Sequence, residues 1–282
     1  MKIKIKEALY HEPLKKIVLD TLIKRRVSNR VVGKFAESKL SRIVIKKFEK
    51  AYKIDRSLFI APHRNGYRTL NEFFTRNYTE SIVRKAFPHP QDNSLHSPTE
   101  CYLSLQIDIN PESIVQAKNF TYSLKEFLGS EPGENYQGGT LIKLRLTPKE
   151  YHHAHYIDNG VITNFKDIKG NYYTSEAAST RKVKKMYCKS HRHVMEIKTE
   201  NFGNVYYIEV GATFVGTIIQ NNKVGDIVKY GDKKSVFKFG GSTVFLLFEK
   251  GKLNLSKNLH KQAETANETY VSLGEILGSK TS

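Results

Sequence analysis

The stretch that decides the fold is Phe237-Lys-Phe-Gly-Gly-Ser-Thr-Val-Phe-Leu-Leu-Phe248, two apolar runs joined through Gly240-Gly241-Ser242-Thr243. The runs read as strands and the small residues as the turn between them. Without a Cβ, Gly240 and Gly241 open backbone angles closed to other residues and allow close approach of another group. Ser242 places a hydroxyl just after the Gly241 carbonyl. Attack by that hydroxyl would exchange the amide for an ester. Elimination from the ester would leave a dehydroalanine, which hydrolyses to a pyruvoyl group at a new N-terminus. The same four residues also read as a glycine bulge in a hairpin, with Ser242 and Thr243 as turn formers, and short motifs alone do not separate the two.

Working outward, short alternating apolar runs recur from about residue 93: 102–109, 140–146, 161–165, 205–215, 227–230 and 244–248. Turn signals such as Asp158-Asn-Gly160 and Asn221-Asn222 separate them. This texture predicts a β-rich, mostly antiparallel body over 93–282. Residues 1–92 predict a basic helical region, making the whole an α+β protein. One helix is expected over 11–27, with Pro13 in its first turn and Leu14, Ile17, Val18 and Leu22 at helical spacing. A second is expected over 38–52, with Leu40, Ile43, Val44 and Phe48 on one side.

The chain has 282 residues, 39% hydrophobic, and a net charge of +18. Residues 1–50 hold 15 Lys and Arg against 5 Asp and Glu, so 15 − 5 = +10 of that excess lies there. Such charge on amphipathic helices suits an anionic phospholipid membrane. No apolar run approaches the ~20 residues of a membrane span, and Met1-Lys-Ile-Lys-Ile-Lys6 lacks a signal-peptide core. A nucleic acid is the rival anionic partner, but no binding motif supports it, and we expect none. Two cysteines, Cys101 and Cys188, imply neither a disulfide framework nor a Cys-x-x-Cys metal site. His191 and His193 form a His-x-His inside the basic cluster 181–193. Zinc there would need further ligands, so the expectation is two exposed side chains and no metal.

The motifs also resemble, in order and spacing over about residues 30–278, those of the phosphatidylserine decarboxylase family. Besides the Gly-Ser-Thr, the matching pieces are Leu70-Asn-Glu-Phe-Phe-Thr-Arg76, Tyr151-His-His-Ala-His155, Val210-Gly-Ala-Thr-Phe-Val-Gly-Thr-Ile218, Glu268-Thr269 and Gly274-Glu275. The resemblance implies a proenzyme cut between Gly241 and Ser242 into a β chain (1–241) and an α chain (242–282). The pyruvoyl group made from Ser242 would be its covalent cofactor and would condense with the amine of phosphatidylserine. Loss of carbon dioxide would then give phosphatidylethanolamine.

It also implies roles for particular residues. His155 would activate Ser242 for cleavage, and His152 would return a proton during decarboxylation. The family's Ser-Pro-x-Asp appears here as Ser97-Pro98-Thr99-Glu100, so Glu100 stands where the carboxylate that orients His155 is expected. Its arm is one methylene longer, and misplacement by about 1 Å can cost ~100-fold in rate. The 70–76 segment is expected to be structural and away from the chemistry. The segment 210–218 is expected near the site. A homodimer on the cytoplasmic face of the cell membrane is implied as well. A pyruvoyl enzyme acting on a soluble amino acid is the rival within the same chemistry, and a non-catalytic lipid- or nucleic-acid-binding relative is the rival outside it.

Overall fold

The structure is a computed structural model and describes residues 26–88, 93–117, 120–174, 180–212, 217–265 and 267–281. The expected helix over 11–27 lies outside the described residues except for its last two positions. These open helix α1 (Arg26–Glu37). Residues 213–216 of the glycine-containing segment also lie outside.

The strands used below are, in chain order, β1 (Ser94–His96), β2 (Cys101–Gln106), β3 (Thr140–Leu146), β4 (His153–His155), β5 (Gly160–Ile168), β6 (Arg192–Thr199) and β7 (Asn204–Gly211). After them come β8 (Ile218–Gln220), β9 (Ile227–Val228), β10 (Lys233–Phe237), β11 (Ser242–Phe248), β12 (Leu253–Leu255), β13 (Thr269–Val271) and β14 (Ile276–Lys280). An eight-stranded sheet runs β9-β5-β6-β7-β11-β3-β2-β13, and two three-stranded sheets run β8-β10-β4 and β12-β14-β1. Every ladder in these sheets is antiparallel.

Strand β11 sits inside the large sheet, with β7 on one side and β3 on the other, and all seven of its residues are buried. That explains its near-continuous apolar sequence: a strand covered on both faces has no reason to alternate. Val244, Leu246 and Phe248 point into a core closed by both small sheets, through residues such as Ala154, Phe237, Leu255 and Leu277. Phe245 and Leu247 point into a second core closed by the helix Leu124–Leu128 and by Tyr122, Tyr136 and Tyr187. Ser242 shares the first face and Thr243 the second, by alternation along the strand.

A third, smaller core joins the N-terminal region to this body. Ala36, Ile45, Ile54, Tyr67, Leu70 and Phe73 pack together, with Phe48 and Phe239 against them. The expected single helix over 38–52 is two pieces, a 3-10 turn Lys39–Val44 and helix α2 (Ile45–Tyr52). The stripe splits with them. At three residues per turn Leu40 and Ile43 stack on one outward edge, where they are 73% and 81% exposed. Val44 and Phe48 turn inward onto the third core.

Candidate active site

The turn between β10 and β11 carries the Gly-Gly-Ser. Gly240 has a φ of +147°, a conformation that favours glycine. The Gly241 carbonyl accepts a hydrogen bond from the Ala212 amide at 3.1 Å. Ser242 then enters the sheet opposite Gly211 on β7 and Leu146 on β3. It is fully buried, and its Oγ has no hydrogen-bond partner among the described residues. A buried hydroxyl left unpaired costs roughly 1–3 kcal/mol, so it calls for a reason.

His152 reaches this turn. Its carbonyl accepts from the Phe237 amide at 2.9 Å, which ties the residue before β4 to the last residue of β10. The backbone of Gly240 lies against its ring. Nδ1–H donates to the Glu150 carbonyl at 2.9 Å, so Nε2 carries the lone pair. That Nε2 is buried and has no partner among the described residues. Phe74 covers the ring, centroid to centroid 3.9 Å. Burial above all, with the Arg76 charge adding to it, pushes the imidazole pKa down to about 3. The unprocessed chain therefore holds His152 neutral, as a proton acceptor. The proton-returning role expected of His152 carries no sign in the sequence of how dry its pocket is.

His155 is placed differently. It pairs with Lys233 at the far end of β10, four residues from Phe237. At 3.3 Å per residue this is roughly 13 Å along the strand from Phe237. Its Nδ1–H donates to the Gly231 carbonyl at 2.7 Å, and Nε2 accepts from the Tyr151 hydroxyl at 3.2 Å. Burial lowers its pKa to about 4. His153 shares that face, as a strand requires, and bonds the Thr75 carbonyl at 2.9 Å.

The structure does not bring Glu100 to the His155 ring. Its carboxylate accepts from the Tyr78 hydroxyl at 2.8 Å, from the Tyr151 amide at 3.2 Å and from the Tyr270 hydroxyl. Glu100 and His155 thus grip Tyr151 from two ends, at its amide and its hydroxyl.

Arg76 completes the bracing. It is 1% exposed, and its guanidinium donates to the carbonyls of Lys149 and Glu150. Those carbonyls belong to the turn that presents His152. The 70–76 segment thus has the structural part expected of it, but plays it against the candidate site rather than away from it. Phe74 lies on His152, and Asn71 Oδ1 accepts from the Phe239 amide at 3.0 Å, one residue before the glycines. The Phe-Phe pair carried the signal, since two adjacent aromatics on a short helix must both find cover. Their target was not in the local sequence.

His191 and His193 are not the exposed pair expected. Each is 7% exposed, and they converge with Asp167 so that one ligand atom from each lies within 4.8 Å of the others. The proton arrangement is that of a hydrogen-bonded array. The Gln220 amide nitrogen donates to His193 Nδ1 at 3.0 Å, while its oxygen accepts from Lys234 at 2.9 Å. The amide orientation is thereby fixed, and the His193 proton is left on Nε2, facing Asp167 at 3.7 Å. A metal would need that nitrogen bare.

The β-rich scaffold buries an unpaired serine after a glycine turn that lies against a neutral histidine, and the proteins it resembles are decarboxylases. The family model described as phosphatidylserine decarboxylase matches residues 70–279. A phosphatidylserine decarboxylase proenzyme of Clostridium perfringens is 35% identical over 272 residues, covering 96% of this chain and 91% of that one. Proenzymes of the same name from Clostridium beijerinckii (35% over 276 residues, 97% and 92%) and Ruminiclostridium cellulolyticum (36% over 272 residues, 96% and 89%) are similar to the same extent. The chain belongs to the phosphatidylserine decarboxylase family.

Proposed function

We propose that this chain is a proenzyme that cuts itself between Gly241 and Ser242 and then decarboxylates phosphatidylserine to phosphatidylethanolamine. The observation that carries the reading is the buried, unpartnered Ser242 Oγ, immediately after a peptide that two glycines leave open to approach. A pyruvoyl group fits the position: Oγ leaves with Gly241, the serine Cβ becomes a methyl and Cα the ketone carbon, so no buried hydroxyl is left without a partner. The pyruvoyl carbonyl supplies the electrophile that engages the substrate amine and draws off the electrons left as carbon dioxide departs.

The chain's own residues do the rest. His152 Nε2 exchanges protons with the atoms at position 242. Phe74 keeps water from it. Arg76, Glu100, Tyr151 and His155 hold the 149–151 turn, so His152 stays on the glycines. An anionic headgroup offsets the desolvation that keeps His152 neutral, which lets the same ring act as acid during turnover.

The N-terminal region meets the lipid. Val31, Phe35, Leu40 and Ile43 are exposed, amid Lys34, Lys39, Arg42, Lys46 and Lys47, also exposed. Apolar side chains within a basic field are the pattern of a peripheral contact with anionic lipid. Among the described residues no helix is long and apolar enough to cross a membrane.

Intact mass of the expressed chain, with and without Ser242→Ala, tests the cleavage. Two fragments from the first and one full-length species from the second are expected, and one species from both refutes it. Release of carbon dioxide from phosphatidylserine vesicles, but not from free amino acids, tests the substrate.

A further inference from the structure

We propose that the backbone N–H of Ala212 is the donor that activates the Gly241 carbonyl for self-cleavage. The inference rests on the cleavage reading above and names a group that side-chain motifs cannot reveal.

Three observations carry it. First, the contact is direct: Ala212 N to Gly241 O is 3.1 Å. Second, the donor is fixed before reaction. The β7–β11 ladder runs from Val205↔Phe248 to Gly211↔Ser242, and Ala212 opposite Gly241 is its next rung. The preceding amide, Gly211 N, donates to the His191 carbonyl at 3.0 Å on the other side of β7. The end of β7 is thus bonded to both neighbouring strands, and Ala212 itself is 4% exposed. A donor held this way does not reorganise as charge develops on the oxygen.

The third observation is orientation. The Gly241 C=O points toward β7, within the plane of the sheet. The π faces of that carbonyl therefore look up and down, along the sheet normal. A strand side chain stands along the same normal. Ser242 Oγ leaves the sheet on the face of Val244 and Leu246, so it rises over the face of the peptide that precedes it. The hydrogen bond pins the oxygen in plane while the nucleophile comes from above.

The step balances within the chain. Ser242 Oγ bonds to the Gly241 carbonyl carbon, and the π pair moves onto the oxygen that Ala212 holds. Collapse breaks the carbon–nitrogen bond, and the proton released from Oγ passes to the Ser242 nitrogen, leaving an ester and a free amine. Loss of the Ser242 α-proton then expels Gly241 as a carboxylate. Water releases ammonia from what remains and leaves the ketone. No oxidant or metal enters.

The test replaces the amide and nothing else. Full-length chain is made by cell-free translation with lactic acid at position 212, which exchanges N–H for O and keeps the methyl group. A second chain carries glycolic acid at position 211, removing the neighbouring ladder donor, which does not touch Gly241. Fragment appearance is followed by intact mass. The 212 ester is expected to cleave roughly 100- to 1,000-fold more slowly than the unsubstituted chain, with the 211 ester close to it. An unchanged rate at 212 overturns the proposal. Equal slowing of both esters overturns it too, because loosening of the strand would then suffice. If the unsubstituted chain stays whole, the cleavage reading itself fails, and the donor role with it.

Discussion

Acidification from pH 7.5 to 5.5 is expected to destabilise the fold steeply, and the cause is the Tyr151-His-His-Ala-His155 stretch. His152, His153 and His155 are 0%, 7% and 0% exposed. Burial, the largest cause for each, pushes their pKa values down to about 3, 3 and 4. In the unfolded chain each returns to about 6.5. The folded values lie below the unfolded ones, so between about 4 and 6.5 the unfolded state binds more protons, and stability falls as pH falls. Over these two pH units each histidine costs about 1.4 kcal/mol, about 4 kcal/mol for the three. Typical total stability is roughly 5–15 kcal/mol. His193, lowered by burial as well, works in the same direction. Glu150 and Asp158, raised by burial, work against it toward the acid end.

The assay is urea unfolding of the Ser242→Ala chain, so that one covalent species is measured, at pH 7.5, 6.5 and 5.5. With no Trp and 16 Tyr, tyrosine emission and far-ultraviolet circular dichroism are the signals. His153→Gln removes one titrating group outside the proposed chemistry. It should flatten the slope near pH 5.5 by about 1.2 kcal/mol per pH unit, whatever it does to stability at pH 7.5. A flat profile in the parent, or an unchanged slope in the variant, refutes the argument that these rings are held neutral.

Other outcomes follow from single contacts. Lys234 and Glu209 form an ion pair at 2.6 Å with both side chains fully buried, so Lys234→Met should cost about 3–5 kcal/mol in urea unfolding. Adding Glu209→Gln should recover much of that loss. Arg76→Lys keeps the charge but loses the fork that serves two carbonyls, and should lower stability by roughly 2–3 kcal/mol while slowing fragment appearance. After cleavage the two chains should elute as one species by size exclusion and separate only in denaturant. Phe245, Leu246, Leu247 and Phe248 alone bury roughly 6–12 kcal/mol of apolar side chain against the larger fragment.

What could be read in advance divides by the range of the interaction. Strand 140–146 emerges with its expected bounds, and 244–248 gains only Ser242 and Thr243, because burial and alternation are written along each strand. The helix over 38–52 fails at its first turn, where 3-10 geometry resets which residues share a face. The site shows the same division. Ser242 and the histidine stretch were legible as local chemistry. Arg76 was not legible as a brace, because its carbonyl partners lie 73 and 74 residues away. Glu100 was assigned to His155 because a carboxylate and an imidazole are natural partners. In the fold three groups compete for that carboxylate, and Tyr78, Tyr151 and Tyr270 win it.

The proposed cut at the mouth of a buried central strand would reconcile two demands that otherwise conflict. Self-cleavage is served by a dry, preorganised peptide, yet breaking the chain removes a covalent constraint from the core. Placing the cut at the first residue of β11 leaves the ladders to β7 and β3 untouched from Thr243 to Phe248. The bonds from Lys143 and Arg145 to Glu268, and from Glu100 to Tyr270, then join the prospective fragments outside the strand itself. A cut four residues further on would split the strand and free half of it to fray. On this proposal the sheet fixes the donor, the carbonyl and the side-chain direction at one end, and the cut falls in the glycine turn rather than within the strand.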